Sequence, residues 1–478
     1  MSIEKTSYEY RGEFLKFFLI TFLNCGYFNQ NFHENTFKKN ISSYIIRTNV
    51  LFLGVITLYD YSLLPNRIIL CVDLRSFYAS VSCIKKGLDP RYTKLAVVGD
   101  VHRSGSIVLA ATPPLKALGI KKMARLYEIP KRPDIIIVNP IMHTYMKCST
   151  YITGLALQYV APEDFHQYSI DEFFMDMTAS IHLFASNPCE FALKFKREIY
   201  ERTRIESTIG IGPNLLLSKV AMDVEAKKNK DGIAQWTYDD IPEKLWSIRP
   251  LSKFWGISYK TEMKLNQKGI HMIGDLAQYP LKYLKQSFGV IGEELHLHSN
   301  GIDLSRIAEK YVPATTSIAK SQILFRDYSI EEFIVILLEH IEEVCYRLRR
   351  EKKYAQTIHF SVGYSKEYGG GIKKVHTLNR ATNLTMDIYN VCTYFLHERH
   401  TGEPIRSISI SLTNLINEGE EQISLFDNII QREKEMRLTK VMDEIRTRFG
   451  KNSILRGISY TNVATARYRN TLLGGHKS

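Results

Sequence analysis

The chain has 478 residues, enough for about three domains. Lysine and arginine number 63 against 50 aspartates and glutamates, so the net charge is +13 and points to an anionic partner, nucleic acid before a membrane surface. A composition with 45% hydrophobic and 24% charged residues is neither disordered nor fibrous, the seven scattered cysteines argue against a zinc ribbon or a secreted disulfide framework and suit a reducing, cytoplasmic setting, and no apolar run reaches the ~18 residues that span a bilayer.

The first stretch has a composition of its own. Before Asp60 there is no aspartate, before Pro65 no proline and before Ala79 no alanine, while Phe, Asn, Ile, Tyr and Lys dominate. Residues 1–60 are therefore set apart as an N-terminal extension with three open readings. One is a signal peptide with Arg11 as its charged flank and Phe17–Leu23 as a short apolar region, although no A-x-A cleavage pattern follows. Another is a structural appendage. The favoured one is upstream DNA read in frame, which puts the start of the working protein near Leu58 or Tyr59.

From Arg67 the pattern becomes regular. Ile68–Val72 is a continuous apolar run of strand length, the pattern of a strand buried on both faces, and it ends at Asp73. Phe77, Tyr78, Val81 and Ile84 then recur at helical spacing. Leu95–Val98, Ile107–Leu109, Ile135–Val138 and Ser207–Gly212 read as short strands, Tyr168–Met177 as a strand or hairpin, and 144–160 and 187–204 as helices. This alternation predicts an α/β or α+β region. Over 243–302 the character changes to short helices with glycine turns, among them Trp255-Gly256-Ile257 and Lys268-Gly269-Ile270. Residues 303–319 read as a linker. A second α/β segment follows, with a helix at 330–350, strands at 356–364 and 405–412, and Lys366, Lys373, Lys374 and Arg380 between them. The tail carries Gln422-Ile423-Ser424-Leu425-Phe426 and a charged helix over 428–448.

Three acids carry the chemistry. Asp73 closes an otherwise apolar strand, and Asp171 and Glu172 are adjacent in Tyr-Ser-Ile-Asp-Glu-Phe-Phe. A buried carboxylate is costly unless paired or bound to a cation, and neighbouring carboxylates repel until a divalent metal intervenes. Oxygen-only ligands with positions left open for phosphates suit magnesium. A solvated turn and a strand-end acid are the plain alternative for each acid taken singly.

The segments Val72-Asp73-Leu74-Arg75-Ser76-Phe77-Tyr78-Ala79-Ser80-Val81, Tyr168-Ser169-Ile170-Asp171-Glu172-Phe173-Phe174, Gly210-Ile211-Gly212-Pro213-Asn214 and Leu217-Ser218-Lys219-Val220-Ala221 occur in this order. Together they resemble the Y family of DNA polymerases, the translesion enzymes, with the UmuC-like bacterial branch nearest. The resemblance implies an α+β right-hand polymerase: a ferredoxin-like palm (67–85 and 144–242), small fingers (86–143), a helical helix-hairpin-helix thumb (243–302) and an α/β little finger (320–415), followed by a tail (416–478). It implies that Asp73, Asp171, Glu172 and the Leu74 backbone carbonyl hold two Mg2+ ions, while a primer 3′-hydroxyl attacks a deoxynucleoside triphosphate and pyrophosphate leaves. Tyr78 would be a steric gate that excludes the 2′-hydroxyl of ribonucleotides, and Phe77, Lys116 and Lys227 would bind the nucleotide.

Some details depart from the family pattern. Where many members carry a tyrosine and an arginine in the fingers, this chain has Pro113 and Lys116, and lysine cannot make the bidentate arginine contact. An apparent one-residue insertion near Ala226-Lys227-Lys228-Asn229 leaves Lys228 as an alternative to Lys227. Lys320, Arg326, Lys373 and Lys374 would run along the backbone of primer-template DNA. Gln422–Phe426 resembles the sliding-clamp pentapeptide, with a short strand as the bland reading. A UmuD-like protein or a recombinase filament is a further partner the family suggests, and no membrane is implied. A DNA-binding accessory protein on the same fold is the second reading and a magnesium nuclease the third.

Overall fold

The computed structural model describes residues 59–120, 123–310, 312–313, 315–419 and 429–477. The N-terminal extension before Tyr59 and the pentapeptide Gln422–Phe426 lie outside the described residues. Two compact units divide at Val312.

In chain order the first unit holds β1 (Ile69–Leu74), α1 (Phe77–Lys85), β2 (Lys94–Val98), β3 (Val108–Ala111), α2 (Pro113–Lys116), β4 (Ile135–Val138) and α3 (Met142–Ala156). Then come β5 (Phe165–Gln167), β6 (Glu172–Asp176), α4 (Pro188–Thr203), β7 (Ser207–Gly212), α5 (Leu215–Ala221) and β8 (Ile233–Gln235). The main sheet has the order β5-β6-β1-β7-β8. The apolar run ending at Asp73 takes its centre because both of its faces are covered. Cys71 and Ile69 pack with Phe174, Leu215 and Met222 under α5, while Phe173 meets Phe195 of α4 on the other side. A fully buried Phe contributes about 1.5–3 kcal/mol, and Phe173, Phe174, Phe191 and Phe195 are all buried. β2, β3 and β4 form a separate small sheet in the order β3-β2-β4.

Four short helices follow, α6 (Tyr259–Asn266), α7 (Ile273–Gln278), α8 (Leu281–Phe288) and α9 (Val290–Ser299). Their apolar faces share one core with Leu216, Leu217 and Val220 of α5. The stretch read as a linker begins inside this unit: the Asp303 carboxylate accepts from the Leu216 N–H at 3.2 Å and is buried.

The second unit is an antiparallel sheet in the order β11-β10-β12-β9, built from β9 (Ile318–Tyr328), β10 (Lys353–Tyr364), β11 (Gly371–Thr382) and β12 (Ile405–Asn417). Helices α10 (Ile330–Arg350) and α11 (Thr385–Arg399) pack on it around Phe333, Ile341, Phe360 and Ile410. The tail helix α12 (Ile429–Phe449) docks on α10 through Arg349–Asp443 at 2.6 Å and Arg446–Glu342 at 2.8 Å.

β9 and β11 are absent from the sequence expectation, and three cations read as lining DNA have partners within the unit. Lys320 is largely buried and paired with Glu343. Arg326 is held by both carboxylate oxygens of Glu332 at 2.7 Å. Lys374 lies over the Phe395 ring, 4.8 Å from its centroid. Strand register, not charge, selects the face, and of this group Lys373 is the exposed member on β11. Among the described residues no helix is long and apolar enough to cross a membrane.

Candidate active site

Asp73 is the partly exposed residue of an otherwise buried β1. Pairing sets it directly across from Glu172 on β6. The Leu74 N–H donates to the Asp171 carbonyl at 2.8 Å, so all three acids gather at one end of the sheet. Like charges across a strand pair repel, and two lysines answer them here. The Lys219 ammonium lies 2.7 Å from Glu172 and 2.9 Å from Asp223. The Lys227 ammonium lies 2.7 Å from Asp223 and 3.3 Å from Asp73. Asp171 is held by the Ser169 hydroxyl, which donates to it at 2.7 Å.

The helix carrying Lys219 comes this close because of two glycines. A Cβ on Gly210 would stand 2.1 Å from the Ser218 carbonyl oxygen, and one on Gly212 2.5 Å from the Ser218 nitrogen. Asn214 caps α5, accepting from the Leu217 N–H at 2.8 Å and donating to the Gly301 carbonyl at 2.9 Å. Beyond α5 the chain makes one π-helical turn, Met222–Ala226, closed by the Lys227 N–H on the Met222 carbonyl. That wider turn is followed by Lys227, which reaches the acids. The Lys228 side chain is exposed.

Burial pushes the Asp171 carboxyl above its ordinary value, and Asp73 adds to the effect. Burial also raises Glu172, against the pull of Lys219. For Asp223 burial again pushes upward, but Lys219 and Lys227 outweigh it and the carboxyl sits below its ordinary value. Burial works against the charge on Lys219, yet the acidic groups around it keep the ammonium above its ordinary value.

Tyr78, in the first turn of α1, stacks on Tyr145 with centroids 4.4 Å apart and planes 11° apart. The Tyr145 hydroxyl is 2.7 Å from that of Ser82, which fixes the stack from behind. Phe77, read as nucleotide-binding, is 1% exposed with its ring in the core, while the neighbouring Tyr78 is half-buried against Tyr145. Contact from Phe77 to a nucleotide would be through its backbone. The Lys116 ammonium donates to the Ser76 hydroxyl at 2.8 Å, so α2 reaches the loop after Asp73. Ser76 itself adopts a left-handed conformation at φ 50°.

Sequence reasoning missed Lys219 and Asp223 as site residues. The available signal was a lysine and an aspartate four apart in a stretch otherwise apolar enough to be buried, since a buried lysine demands an acid.

Three family signatures match in chain order: the impB/mucB/samB family over residues 72–223, the IMS family HHH motif over 238–270 and the impB/mucB/samB family C-terminal domain over 315–425. The chain is 46% identical over 422 residues to the "Putative UV-damage repair protein UvrX" of Bacillus subtilis (strain 168), across 88% of this chain and 100% of that one. It is 34% identical over 420 residues to "DNA polymerase IV 2" of the same organism, across 87% and 100%. The chain belongs to the impB/mucB/samB family, the Y-family DNA polymerases. As a member it is a DNA-directed DNA polymerase. The fold agrees: a solved "Y-family DNA polymerase chimera Dbh-Dpo4(243-245)-Dbh" superposes with a TM-score of 0.59 at 20% identity, over 73% of this chain and 99% of that one.

Among the described residues no three acid, histidine or cysteine side chains form a ready metal cage. Magnesium is commonly held by one or two carboxylates together with substrate phosphates rather than by an all-protein cage. The donor set is all oxygen, and ammonium groups already occupy the places where positive charge belongs.

Proposed function

We propose that this Y-family polymerase extends a primer past damaged template bases, in the error-prone manner of translesion enzymes, with two Mg2+ ions at Asp73, Asp171, Glu172 and the Leu74 carbonyl. The observation that carries the reading is the β1–β6 register, which sets Asp73 opposite Glu172 with Asp171 bonded to the next residue. Bound Mg2+ supplies activation of the attacking hydroxyl and neutralisation of the leaving pyrophosphate.

The chain's own residues do the rest. Lys116, bonded to Ser76 in the loop after β1, and Lys227, paired with Asp73, would hold the triphosphate. Tyr78, backed by Tyr145, fills the space a 2′-hydroxyl would need and selects deoxynucleotides by clash. On this reading residues 67–85 and 144–242 are the palm, 86–143 the fingers, 243–302 the thumb and 320–415 the little finger. Glycine turns at Gly256 and Gly269, both at positive φ, would bring the backbone of the thumb close to DNA phosphates. Leu425 and Phe426 would anchor the tail in a sliding clamp, and a UmuD-like protein or recombinase filament would act as an activator in the cytoplasm.

The test is primer extension with Mg2+ on intact and lesion-bearing templates. Extension is expected on both and is expected to vanish in Asp171→Ala and Glu172→Ala. Extension by either variant at the parent rate would overturn the metal assignment.

A further inference from the structure

The ion pairs of the site form one alternating chain: Glu172, Lys219, Asp223, Lys227, Asp73. Its links measure 2.7, 2.9, 2.7 and 3.3 Å. Asp223 stands in the middle with one carboxylate oxygen on each lysine.

The two lysines differ. Lys219 lies on α5, in which every residue is buried, and its side chain is 8% exposed. Both of its ion pairs are short, so it is a fixed counter-ion. Lys227 follows the π-helical turn, and its side chain is 38% exposed. Its bond to Asp223 joins residues four apart on one turn and involves no residue of the sheet. Its bond to Asp73 is the longest link of the chain and crosses from the turn to β1. A cation arriving at Asp73 therefore displaces the Lys227 ammonium first. The displaced ammonium would stay tethered to Asp223 on the exposed side, where on the reading above the anionic tail of a nucleotide would lie.

We infer that Asp223 is a positioning residue about which Lys227 exchanges partners, resting on Asp73 in the metal-free protein and turning to the triphosphate when metal binds. This rests on the two-metal reading above. It explains how the site keeps clustered acids together without an ion, and why the cation that does so lies on the exposed side.

Two measurements test it. In the first, Mg2+ is titrated into the protein alone, without DNA or nucleotide, and thermal stabilisation is followed. Lys227→Gln removes the resident ammonium, and its Mg2+ midpoint is expected to fall several-fold. Asp223→Asn leaves Asp73 as the remaining acidic partner of Lys227, and its midpoint is expected to rise. A purely structural aspartate would shift the metal-free melting temperature and leave the midpoint unmoved. In the second, single-nucleotide extension is measured against nucleotide concentration. Each variant is expected to raise KM by about tenfold, the effect of removing one charged hydrogen bond, with a smaller change in kcat. The double variant is expected to match Lys227→Gln alone, because Asp223 acts through that lysine.

A parent-like midpoint and KM in Asp223→Asn, or additive KM effects, would overturn the inference. Should Asp223→Asn fail to fold, Lys227→Gln still decides the matter, since an unchanged midpoint removes the resting ion pair. An Asp171→Ala variant separates the two levels. If it still extends primers, the metal reading fails; if it is inactive while Asp223→Asn matches the parent, the pivot alone fails.

Discussion

Glu172 in the first unit and Glu343 in the second are both largely buried and both held by a lysine, yet their carboxyls move in opposite directions. Burial raises Glu172 despite Lys219. Burial also works against Glu343, but Lys320 and Lys451 prevail and bring it down to about 2. The surroundings account for the difference. At the sheet end four acids, Asp73, Asp171, Glu172 and Asp223, face Lys219 and Lys227. Along α10 four acids, Glu339, Glu342, Glu343 and Asp443, meet Arg469, Arg446, Arg456, Lys320, Lys451 and Arg349. The cavity beside that second cluster measures about 50 Å3, room for water but not for a nucleotide. Ion pairs alone thus do not mark an active site. A deficit of positive charge sets the sheet end apart, and on the two-metal reading it is the place a metal ion would fill.

The largest test of this contrast is Asp171→Asn. Extension should fall by at least roughly 10⁴-fold, about 5 kcal/mol of barrier. Because burial and Asp73 both oppose the Asp171 charge, the metal-free melting temperature should rise in the same variant. A fall in both would place Asp171 among the structural acids.

Next is Arg469→Met. Glu339, with its side chain 1% exposed, would lose the guanidinium at 3.0 Å. An uncompensated buried charge of this kind costs about 3–5 kcal/mol, to be read from denaturant unfolding. Pairing the change with Glu339→Met should recover most of the loss, and kcat per folded molecule should stay at the parent value throughout.

A smaller effect appears on acidification. Glu343 titrates lower in the folded chain than its ordinary 4.5, so its contribution is complete above that value and is lost as pH falls toward about 2. The raised carboxyls of Asp171 and Glu172 act the other way, and the metal-free first unit gains stability as pH falls through their raised values. Unfolding followed across this range should show the second unit losing on the order of 2 kcal/mol, and Glu343→Gln should flatten that loss.

Legibility in the sequence follows the same division. The apolar run ending at Asp73 announced its strand, and the helix at 330–350 has its observed bounds because Ser329 and Glu332 form a capping box ahead of an amphipathic stretch. β11 escaped because Lys373, Lys374, Thr377, Asn379 and Arg380 mask the alternation of Ile372 and Leu378 toward the helices. The three acids were legible as a motif, whereas the role of Asp223 was not, since its two lysine neighbours reach Glu172 and Asp73 only after α5 has packed against Gly210 and Gly212. Sign of charge is read from sequence, but the face on which the charge lies comes from register.

Lys373 and Lys374 give the finest test of that last point, as neighbours on β11 with the same charge. Lys373 is exposed, so Lys373→Gln should weaken DNA binding uniformly across sequences and reduce the slope of log affinity against log salt by about 1, because one fewer phosphate is neutralised. Lys374 covers the Phe395 ring, so Lys374→Gln should leave that slope unchanged and cost about 0.5–1 kcal/mol of second-unit stability. Equal slopes in the two variants would mean that net charge near the strand, rather than the face it occupies, governs DNA binding. A pair of adjacent lysines can separate these because alternation along a strand sends their side chains to opposite sides of the sheet while leaving the total charge of the unit the same in both variants.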